Sequence, residues 1–254
     1  MSLLEIKNIT KRFGGLQAVD NVSFSVTAKT IKAVIGPNGA GKTTLFNLIS
    51  GNIPTNGGEV YFNNQPIHGL RPHQIAQHGI SRTFQNIKLF PGMSALENVM
   101  VGCHPKSKAG FLAGMLRLPS TWKEEKKIRK RALDLLDLLD IAELAQKEAT
   151  SLAFGQQRAI EFARALASEP SLLLLDEPAA GLNIYETAEV ARLITKIQQR
   201  GITVLLVEHD MSLVMDISDE IVVLSFGQKI AEDHPAAIQQ NKEVIQIYLG
   251  EDDA

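Results

Sequence analysis

The hydrophobic pattern of this chain combines continuous apolar runs with amphipathic stretches. Leu172–Leu175 and Ile202–Val207 are almost entirely apolar, which is typical of strands that are buried on both faces. Ile31–Ile35 predicts a third short buried strand, and Val22–Val26 alternates between apolar and polar residues as a half-buried strand does. Thr187–Gln199, which lies between two of these runs, predicts a helix. Strands that are separated by helices predict an α/β protein.

The N-terminal region predicts mostly short strands. An opening strand covers Leu4–Ile9, and we expect the charged and glycine-containing run Lys11–Gly15 to break it. A glycine pair opens a later strand, Glu59–Phe62, and Asn63-Asn64 predicts the hairpin turn after it. We therefore expect an antiparallel β region at the start of the chain.

The rest of the chain predicts further helices and a late hairpin. The predicted elements are a short helix from Pro72, a strand Ile80–Phe84, a helix from the N-cap Ser94 to Met100, helical stretches Trp122–Gln146 and Ser151–Ala167, a hairpin of Ile221–Leu224 and Gln228–Ile230 around Gly227, and one or two short helices within Pro235–Leu249.

The stretch of residues 105–121 is the least regular part of the chain, and its interpretation stays open. Its apolar residues are Phe111, Leu112, Met115, Leu116 and Leu118. This patch is expected either to pack on its own domain or to contact a membrane partner. The basic start of Trp122–Gln146 also has two interpretations, a solvated helix face or a contact with phosphate or lipid.

The stretch from Gly36 to Thr44 carries the strongest chemical signal. It fits the phosphate-loop pattern G-x-x-x-x-G-K-[ST], in which glycines let backbone N–H groups turn toward a polyphosphate. Lys42 supplies a mobile positive charge for the β- and γ-phosphates, and the Thr43 hydroxyl can bind Mg²⁺. The N-terminus of the following helix adds partial positive charge. The candidate nucleotide-binding residues of this stretch are Gly36, Pro37, Asn38, Gly39, Ala40, Gly41, Lys42, Thr43 and Thr44.

Composition and charge narrow the remaining possibilities. The 254 residues suffice for one large α/β domain or two small ones, and the net charge of -2 gives no electrostatic case for nucleic-acid binding. Cys103 is the lone cysteine, which excludes an internal disulfide and suits a reducing compartment. No apolar run approaches the ~20 residues that span a bilayer, and Met1–Lys7 lacks the layout of a signal peptide. We expect a cytosolic protein whose membrane role comes through a partner.

Several further motifs follow the phosphate loop in a fixed order. They are Gln85 at a strand end, Leu152–Gln157 at a helix start, Leu172–Glu177 as an apolar strand that ends in two acids, Ala180–Asn183 directly after it, and His209 after the next strand. Together with the phosphate loop, this set resembles the nucleotide-binding subunit of ABC transporters over essentially the whole chain. The resemblance implies an ABC-type P-loop ATPase fold within α/β. It would have a RecA-like mixed-sheet core, an antiparallel β subdomain mainly from residues 1–30 and 57–68, and a helical subdomain at about 86–165.

The resemblance also implies roles for polar residues. The implied catalytic residues are Lys42, Gln85, Glu177 and His209, and the implied metal ligands are Thr43, Gln85 and Asp176. Glu177 is expected to act as the general base that activates the attacking water. His209 corresponds to the switch histidine that contacts the γ-phosphate, and the amide of Gln85 can reach both Mg²⁺ and water.

Two more parts of the chain match nucleotide-contacting parts of the family. Phe13 resembles the aromatic residue that stacks on adenine, and a core phenylalanine is the alternative. Residues 151–157 match the signature segment, which in the family binds the γ-phosphate of ATP held by the opposite subunit. The residues carried over from this segment are Ser151, Ala153, Phe154, Gly155 and Gln156. The resemblance therefore implies a head-to-tail dimer with two ATP molecules between the subunits.

Two positions depart from the usual family pattern. Ala153 replaces the usual signature serine, and this removes a hydrogen bond to a charged group that is worth roughly 1.5–3 kcal/mol. Asn183 stands where an aspartate is more common. Both departures bear on the rate of hydrolysis and not on ATP binding. The motifs that contain Ala153 and Asn183 resemble those of ATPase subunits of branched-chain amino-acid importers. The run Arg82–Gln85, the insert of residues 103–122 and the ending Tyr248–Gly250 are similar to the same subunits.

The resemblance implies that two ATP–Mg²⁺ close the dimer and that hydrolysis reopens it, which drives uptake of a branched-chain amino acid. The implied partners are a second ATPase subunit, identical or paralogous, two membrane permease subunits and, indirectly, a substrate-binding protein, with no nucleic acid. The subunit would sit peripherally on the inner face of the cell membrane.

Other functions remain open at this point. Related importers for urea, amides or other amino acids share much of the pattern. A small-molecule P-loop kinase would transfer phosphate to a metabolite, but it would have no use for Leu152–Gln157. Soluble ABC ATPases of translation or DNA repair usually carry two cassettes in one chain, or zinc or coiled-coil insertions, and a passive structural protein would leave the acids and the lysine unexplained.

Overall fold

The structure, a computed structural model, describes residues 2–103 and 119–249. These residues form two compact units, one within residues 1–85 and 171–254 and the other within residues 86–170. We name them the sheet unit and the helical unit. The apolar patch predicted within residues 111–118 and the last residue of the predicted Tyr248–Gly250 ending lie outside the described residues.

Two sheets build the sheet unit. Its strands are β1 Ser2–Phe13, β2 Leu16–Thr27, β3 Ile31–Ile35, β4 Gly57–Phe62, β5 Gln65–Pro66, β6 Ile80–Arg82, β7 Leu172–Asp176, β8 Thr203–Val207, β9 Glu220–Ser225 and β10 Gln228–Asp233. One sheet has the order β10-β9-β3-β8-β7-β6 and the other the order β2-β1-β4-β5. The larger sheet is parallel except for its edge strand β10. Its strands β3, β7 and β8 are buried at every position, which confirms the prediction of strands covered on both faces.

The described helices are divided between the two units. They are α1 Lys42–Ile49, α2 Pro72–Gln77, α3 Ala95–Val101, α4 Pro119–Leu138, α5 Phe154–Leu166, α6 Ile184–Gln199, α7 Met211–Ile217, α8 Pro235–Gln240 and α9 Lys242–Leu249. Helices α3, α4 and α5 belong to the helical unit. Across the two described ranges, no helix combines the length and the apolar character that crossing a bilayer requires.

The predicted break at Lys11–Gly15 is wrong for its first three residues, because β1 continues to Phe13. The strand tolerates Lys11 because its ammonium donates a hydrogen bond to the Pro54 carbonyl at 2.7 Å. The chain then reverses over two glycines, and Phe13 pairs with Leu16 across the hairpin. The antiparallel β region predicted for the start of the chain is confirmed by the β2-β1-β4-β5 sheet.

Several predicted boundaries move. The helical stretch Trp122–Gln146 stops at Leu138, because Asp140 adopts the left-handed backbone conformation with φ +58° and a 3-10 turn follows at Ala142–Leu144. The helix predicted from Ser151 begins at Phe154 after a separate 3-10 turn, and the strand Ile80–Phe84 ends at Arg82. The Ser94 N-cap is confirmed, since its hydroxyl accepts a hydrogen bond from the N–H of Glu97 at 3.2 Å.

The register of the parallel strands determines where their carboxyl ends meet. Val34 of β3 and Asp176 of β7 both pair with Val207 of β8. The segments that follow these three strands therefore leave the sheet side by side. In parallel α/β sheets this edge is the usual place for a ligand.

Candidate functional site

The phosphate loop connects β3 to α1 through a turn that depends on glycine. Gly36 has φ +146°, and a Cβ placed on it would lie 2.0 Å from the backbone oxygen of Leu224. Gly41 has φ +99°, and its Cβ would lie 2.4 Å from the backbone oxygen of Ala18. Both positions combine a backbone conformation that other residues rarely adopt with a contact that leaves no room for a side chain.

Lys42 is the first residue of α1, and its side chain folds back over this loop. Its Nζ donates hydrogen bonds to the carbonyls of Gly36 at 2.5 Å and Pro37 at 2.9 Å. The side chain is buried although it carries a charge. The following Thr43 is exposed at the helix start, where the first backbone N–H groups of α1 point out of the helix. A lysine and the N–H groups of a helix start at one place form a site for an anion.

A cleft of about 410 Å³ lies against the loop. Its lining consists of Asn38, Gly39, Ala40, Gly41, Lys42, Thr43 and Thr44 from the loop and helix, together with Phe13, Leu16, Gln17, Ala18, Glu177 and Phe226. The lining is therefore polar beside the loop and partly apolar elsewhere. This is the pattern that suits a ligand with a charged tail and a flat ring system.

The apolar part of the cleft contains Phe13 and two residues that sequence reasoning did not single out. Phe13, which was predicted to stack on adenine, is 48% exposed and lines the cleft. Leu16 and Phe226 line it as well, and Phe226 is 90% exposed. A sequence signal existed for Phe226, because it stands next to Gly227 at the predicted hairpin turn.

Two predicted catalytic residues meet at the carboxylate of a third. The side-chain amide of Gln85 donates a hydrogen bond to Oε2 of Glu177, and Nε2 of His209 lies 3.1 Å from the same oxygen. Glu177 follows directly on β7 and is buried, while the His209 side chain is 48% exposed. These residues follow three different strands, β6, β7 and β8, so the fold and not the sequence order brings them together.

The backbone at Glu177 is unusual for a residue with a side chain. Its φ is +49°, which lies in the left-handed region. Such a conformation costs of order 1–3 kcal/mol and persists only where neighbouring contacts enforce it. Here the N–H of Glu177 donates to the carbonyl of Val207 at 2.9 Å, and its own carbonyl accepts from Ala180 at 3.1 Å. The turn directs the Glu177 side chain to the cleft beside the phosphate loop. A carboxylate in this position can orient and deprotonate a water molecule.

Asp176 has a partner that the sequence did not reveal. Nη2 of Arg82 donates a hydrogen bond to its Oδ2 at 2.7 Å, and both side chains are almost completely buried. Nη1 of the same guanidinium donates to Asn47 and to Ser50, each at 2.8 Å. Arg82 therefore ties the end of β6 to the end of β7 and to α1, which carries the phosphate loop.

The signature segment lies in the helical unit, whereas the residues described above lie in the sheet unit. Ala153 precedes α5, and its N–H donates to the side chain of Gln156 at 3.2 Å. The hydroxyl of Ser151 donates to the carbonyl of Glu148 at 2.8 Å. Phe154 begins the helix and is 43% exposed, and Gly155 is in its first turn. The start of α5 thus offers backbone N–H groups and no serine hydroxyl at position 153.

Asn183 fills the structural role that an aspartate would have at the start of α6. Its Oδ1 accepts hydrogen bonds from the N–H groups of Tyr185 at 3.0 Å and Glu186 at 3.1 Å. Asn and Asp are about equally good N-caps. This departure from the family pattern therefore leaves the helix start intact. The two residues after the cap, Ile184 and Tyr185, are each 86% exposed.

Sequence comparisons match this chain to one family of known proteins over 98% of its length. The profile of the ABC transporter family matches residues 19–180, and a profile described as a branched-chain amino acid ATP-binding cassette transporter matches residues 228–254. Over 250 residues the chain is 45% identical to the high-affinity branched-chain amino acid transport ATP-binding protein BraF of Pseudomonas aeruginosa. That match covers 98% of both sequences.

Solved structures give the same result. An ATP-binding cassette of an ABC transporter in its ADP conformation has 33% sequence identity and a TM-score of 0.85, and the match covers 98% of this chain and 99% of that one. A bacterial ABC transporter cassette solved as a dimer has 27% identity and a TM-score of 0.76, covering 91% and 98%. The predicted ABC-type P-loop ATPase fold is confirmed. These matches do not favour the metabolite kinase that the phosphate loop alone left open.

Proposed function

The chain belongs to the ABC transporter ATPase family, and from that membership we propose that it energises the uptake of branched-chain amino acids through membrane permease subunits. It binds nucleotide and hydrolyses ATP, as this family does. The observation that supports the site assignment best is the convergence of Gln85 and His209 on the Glu177 carboxylate, beside the phosphate-loop cleft.

In this proposal the cleft holds one ATP. The polyphosphate lies along the loop, where Lys42 and the N–H groups of the α1 start counter its charge. The adenine lies toward Phe13, whose ring is exposed in the cleft, and Phe226 and Leu16 extend the apolar surface. The ammonium of Lys42 then exchanges its bonds to loop carbonyls for bonds to phosphate oxygens, for which charge-assisted hydrogen bonding is stronger.

The donor atoms near the loop suit Mg²⁺. Thr43 offers a hydroxyl, Asp176 a carboxylate and Gln85 an amide oxygen, and Mg²⁺ prefers oxygen ligands. Within residues 2–103 and 119–249, no three His, Cys, Asp or Glu side chains converge as a closed metal site. We propose that these oxygen ligands hold Mg²⁺ jointly with the nucleotide phosphates. Bound there, the ion neutralises charge on the β- and γ-phosphates.

We assign the chemical step to the residues around Glu177. Its carboxylate takes a proton from the attacking water and directs that water at the γ-phosphorus. Gln85 holds the carboxylate and the water in line, and His209, which lies beside the same carboxylate oxygen, contacts the γ-phosphate. The acceptor is water, so ADP and inorganic phosphate leave and no group is transferred to the transported molecule.

A second cassette completes the site in this proposal. Residues 151–156 of one subunit present the N-terminus of α5 to the γ-phosphate held by the other. The solved dimer of a related cassette supports pairing of two such subunits. Ala153 offers no hydroxyl, so the contact relies on backbone N–H groups such as that of Gly155. Partners of this assembly are an identical or paralogous ATPase subunit, two permeases and, indirectly, a binding protein. Membrane association through the permeases would place the chain at the inner face of the cell membrane.

The substitution Glu177→Gln tests the site assignment. It keeps the shape and removes the base, so ATP turnover is expected to fall by about 10²–10⁴-fold, while ATP affinity stays within twofold. A dimer trapped by ATP should then appear in size-exclusion chromatography. Glu189→Gln is the matched control, since the Glu189 side chain is 65% exposed and forms an exposed ion pair with Arg192. Wild-type turnover in Glu177→Gln would remove Glu177 from its proposed role.

The transport assignment needs a separate test. The subunit is co-expressed with its permeases and reconstituted in proteoliposomes with a binding protein and ATP. Uptake of labelled leucine, but not of labelled urea, is the expected result. Uptake of urea instead would place the chain with the related amide importers. Mass spectrometry of the purified complex shows whether the two ATPase subunits are identical or paralogous.

A further inference from the structure

Glu208 is a buried acid that the roles above leave unexplained. It directly follows β8 and precedes His209, and only 1% of the residue is exposed. A carboxylate is costly to bury unless hydrogen bonds compensate for its lost hydration. Its contacts therefore indicate why the fold keeps it there.

Backbone N–H groups from two different segments satisfy this carboxylate. Oε1 accepts a hydrogen bond from the N–H of Ala179 at 2.7 Å. Oε2 accepts from the N–H of His209 at 2.9 Å and from that of Asp210 at 3.3 Å. Ala179 belongs to the turn that follows Glu177, and the other two belong to the turn that carries the switch histidine.

The three hydrogen bonds join two turns that must keep a fixed separation. Glu177 is held at φ +49°, and its N–H already bonds to Val207 at 2.9 Å. Glu208 adds a second attachment, two residues further along the same turn. The two attachments hold the Glu177 turn against the end of β8, and the Oε2 contacts fix the turn of His209 on the other side.

We infer that Glu208 is a positioning residue that sets the geometry between the Glu177 carboxylate and the His209 ring. It does not touch the cleft itself, since the residues that line the cleft do not include it. Its effect is transmitted by the backbone of both turns, which brings Nε2 of His209 within 3.1 Å of Glu177 Oε2. This inference rests on the proposed roles of Glu177 and His209.

The position of Glu208 predicts a selective kinetic effect. Removing its carboxylate takes away one of the two attachments of the Glu177 turn and both side-chain contacts to the His209 turn, but it leaves the phosphate loop and α1 unchanged. The loss should therefore appear in kcat and not in the KM for ATP. Small misplacements of a reacting group cost up to about 100-fold in rate. We expect kcat of Glu208→Ala to fall by at least about tenfold, with KM within twofold of wild type.

Two controls separate positioning from general destabilisation. Val204→Ala removes apolar volume from a fully buried position of the same strand, so it lowers the melting temperature without touching either turn. At a matched loss of melting temperature, it should keep kcat within twofold. Glu208→Gln keeps the side-chain volume and one accepting oxygen, and its kcat should lie between those of wild type and Glu208→Ala.

A double-variant comparison tests whether Glu208 acts through His209. If it does, Glu208→Ala should cost little further in kcat when His209→Ala is already present. Each variant is assayed as the full chain, by ATP turnover and by fluorescent-nucleotide binding. Independent, multiplying losses, equal changes in kcat and KM, or wild-type kcat in Glu208→Ala would each overturn the inference.

The outcomes also distinguish this inference from the proposed function. If Glu177→Gln stalls turnover while Glu208→Ala does not, the site assignment stands and the positioning role is wrong. If Glu177→Gln turns over normally, the site assignment itself fails. Should Glu208→Ala prove insoluble, Glu208→Gln decides alone: a kcat reduced at least about threefold with unchanged KM supports the role, as partial loss of such hydrogen bonding predicts, and wild-type kcat overturns it.

Discussion

Arg82 provides the sharpest test of how the site is supported. Its guanidinium donates to Asp176, Asn47 and Ser50 at 2.7–2.8 Å. The side chains of Arg82 and Asp176 are 9% and 6% exposed, so the pair is largely shielded from water. In an Arg82→Ala variant the Asp176 carboxylate would then stay buried without its cation.

The size of this effect follows from the burial of the pair. Breaking a buried ion pair by removing one partner costs about 3–5 kcal/mol, because the remaining charge is left uncompensated. With an m-value of about 3 kcal/mol per M in urea, the unfolding midpoint should fall by about 1 to 2 M. Far-UV circular dichroism during a urea titration measures this shift.

The exposed pair of Arg192 and Glu189 gives a matched control. Their nitrogen and oxygen lie 2.9 Å apart, but the side chains are 48% and 65% exposed. Exposed pairs contribute only about 0–1 kcal/mol, so Arg192→Ala should move the midpoint far less. A double-mutant cycle of Arg82→Ala and Asp176→Asn should also give a coupling energy of about 1–3 kcal/mol between the two residues. Equal effects of the two arginine variants, or no coupling, would refute this reasoning.

Three further predictions follow from single residues. Gly36→Ala should abolish nucleotide binding measured by fluorescent-ATP titration, because its Cβ would lie 2.0 Å from a strand carbonyl; normal affinity would contradict the requirement for glycine. Burial raises the pKa of the Cys103 thiol, so thiol reagents at pH 8 should label it slowly until urea unfolds the protein. Burial acts to raise the pKa of Glu232, but hydrogen bonds from Lys229 and Lys32 outweigh it and hold the pKa below its usual value of 4.5. Its stabilising contribution is therefore present above pH 4.5 and is lost as the pH falls through the lowered pKa, so the stability difference between wild type and Glu232→Gln should shrink on acidification.

The sequence alone determined the features that depend on local pattern. A continuous apolar run identified the buried strand at Leu172–Leu175, since a strand with both faces covered needs no polar side. The glycine spacing identified the phosphate loop because backbone conformation and close approach are local requirements. The Ser94 cap could likewise be predicted, because a cap and its helix are neighbours in the chain.

Only the tertiary structure decided which distant residues meet. The strand order and register place Gln85 and His209 at the Glu177 carboxylate, although long segments separate the three in sequence. The same register brings Arg82 within hydrogen-bonding distance of Asp176. It also places the buried carboxylate of Glu208 where the backbone N–H groups of two separate turns can bond to it. Hydrophobic periodicity shows that a residue is buried but not which partner it faces, because a partner is chosen by strand pairing across the sheet.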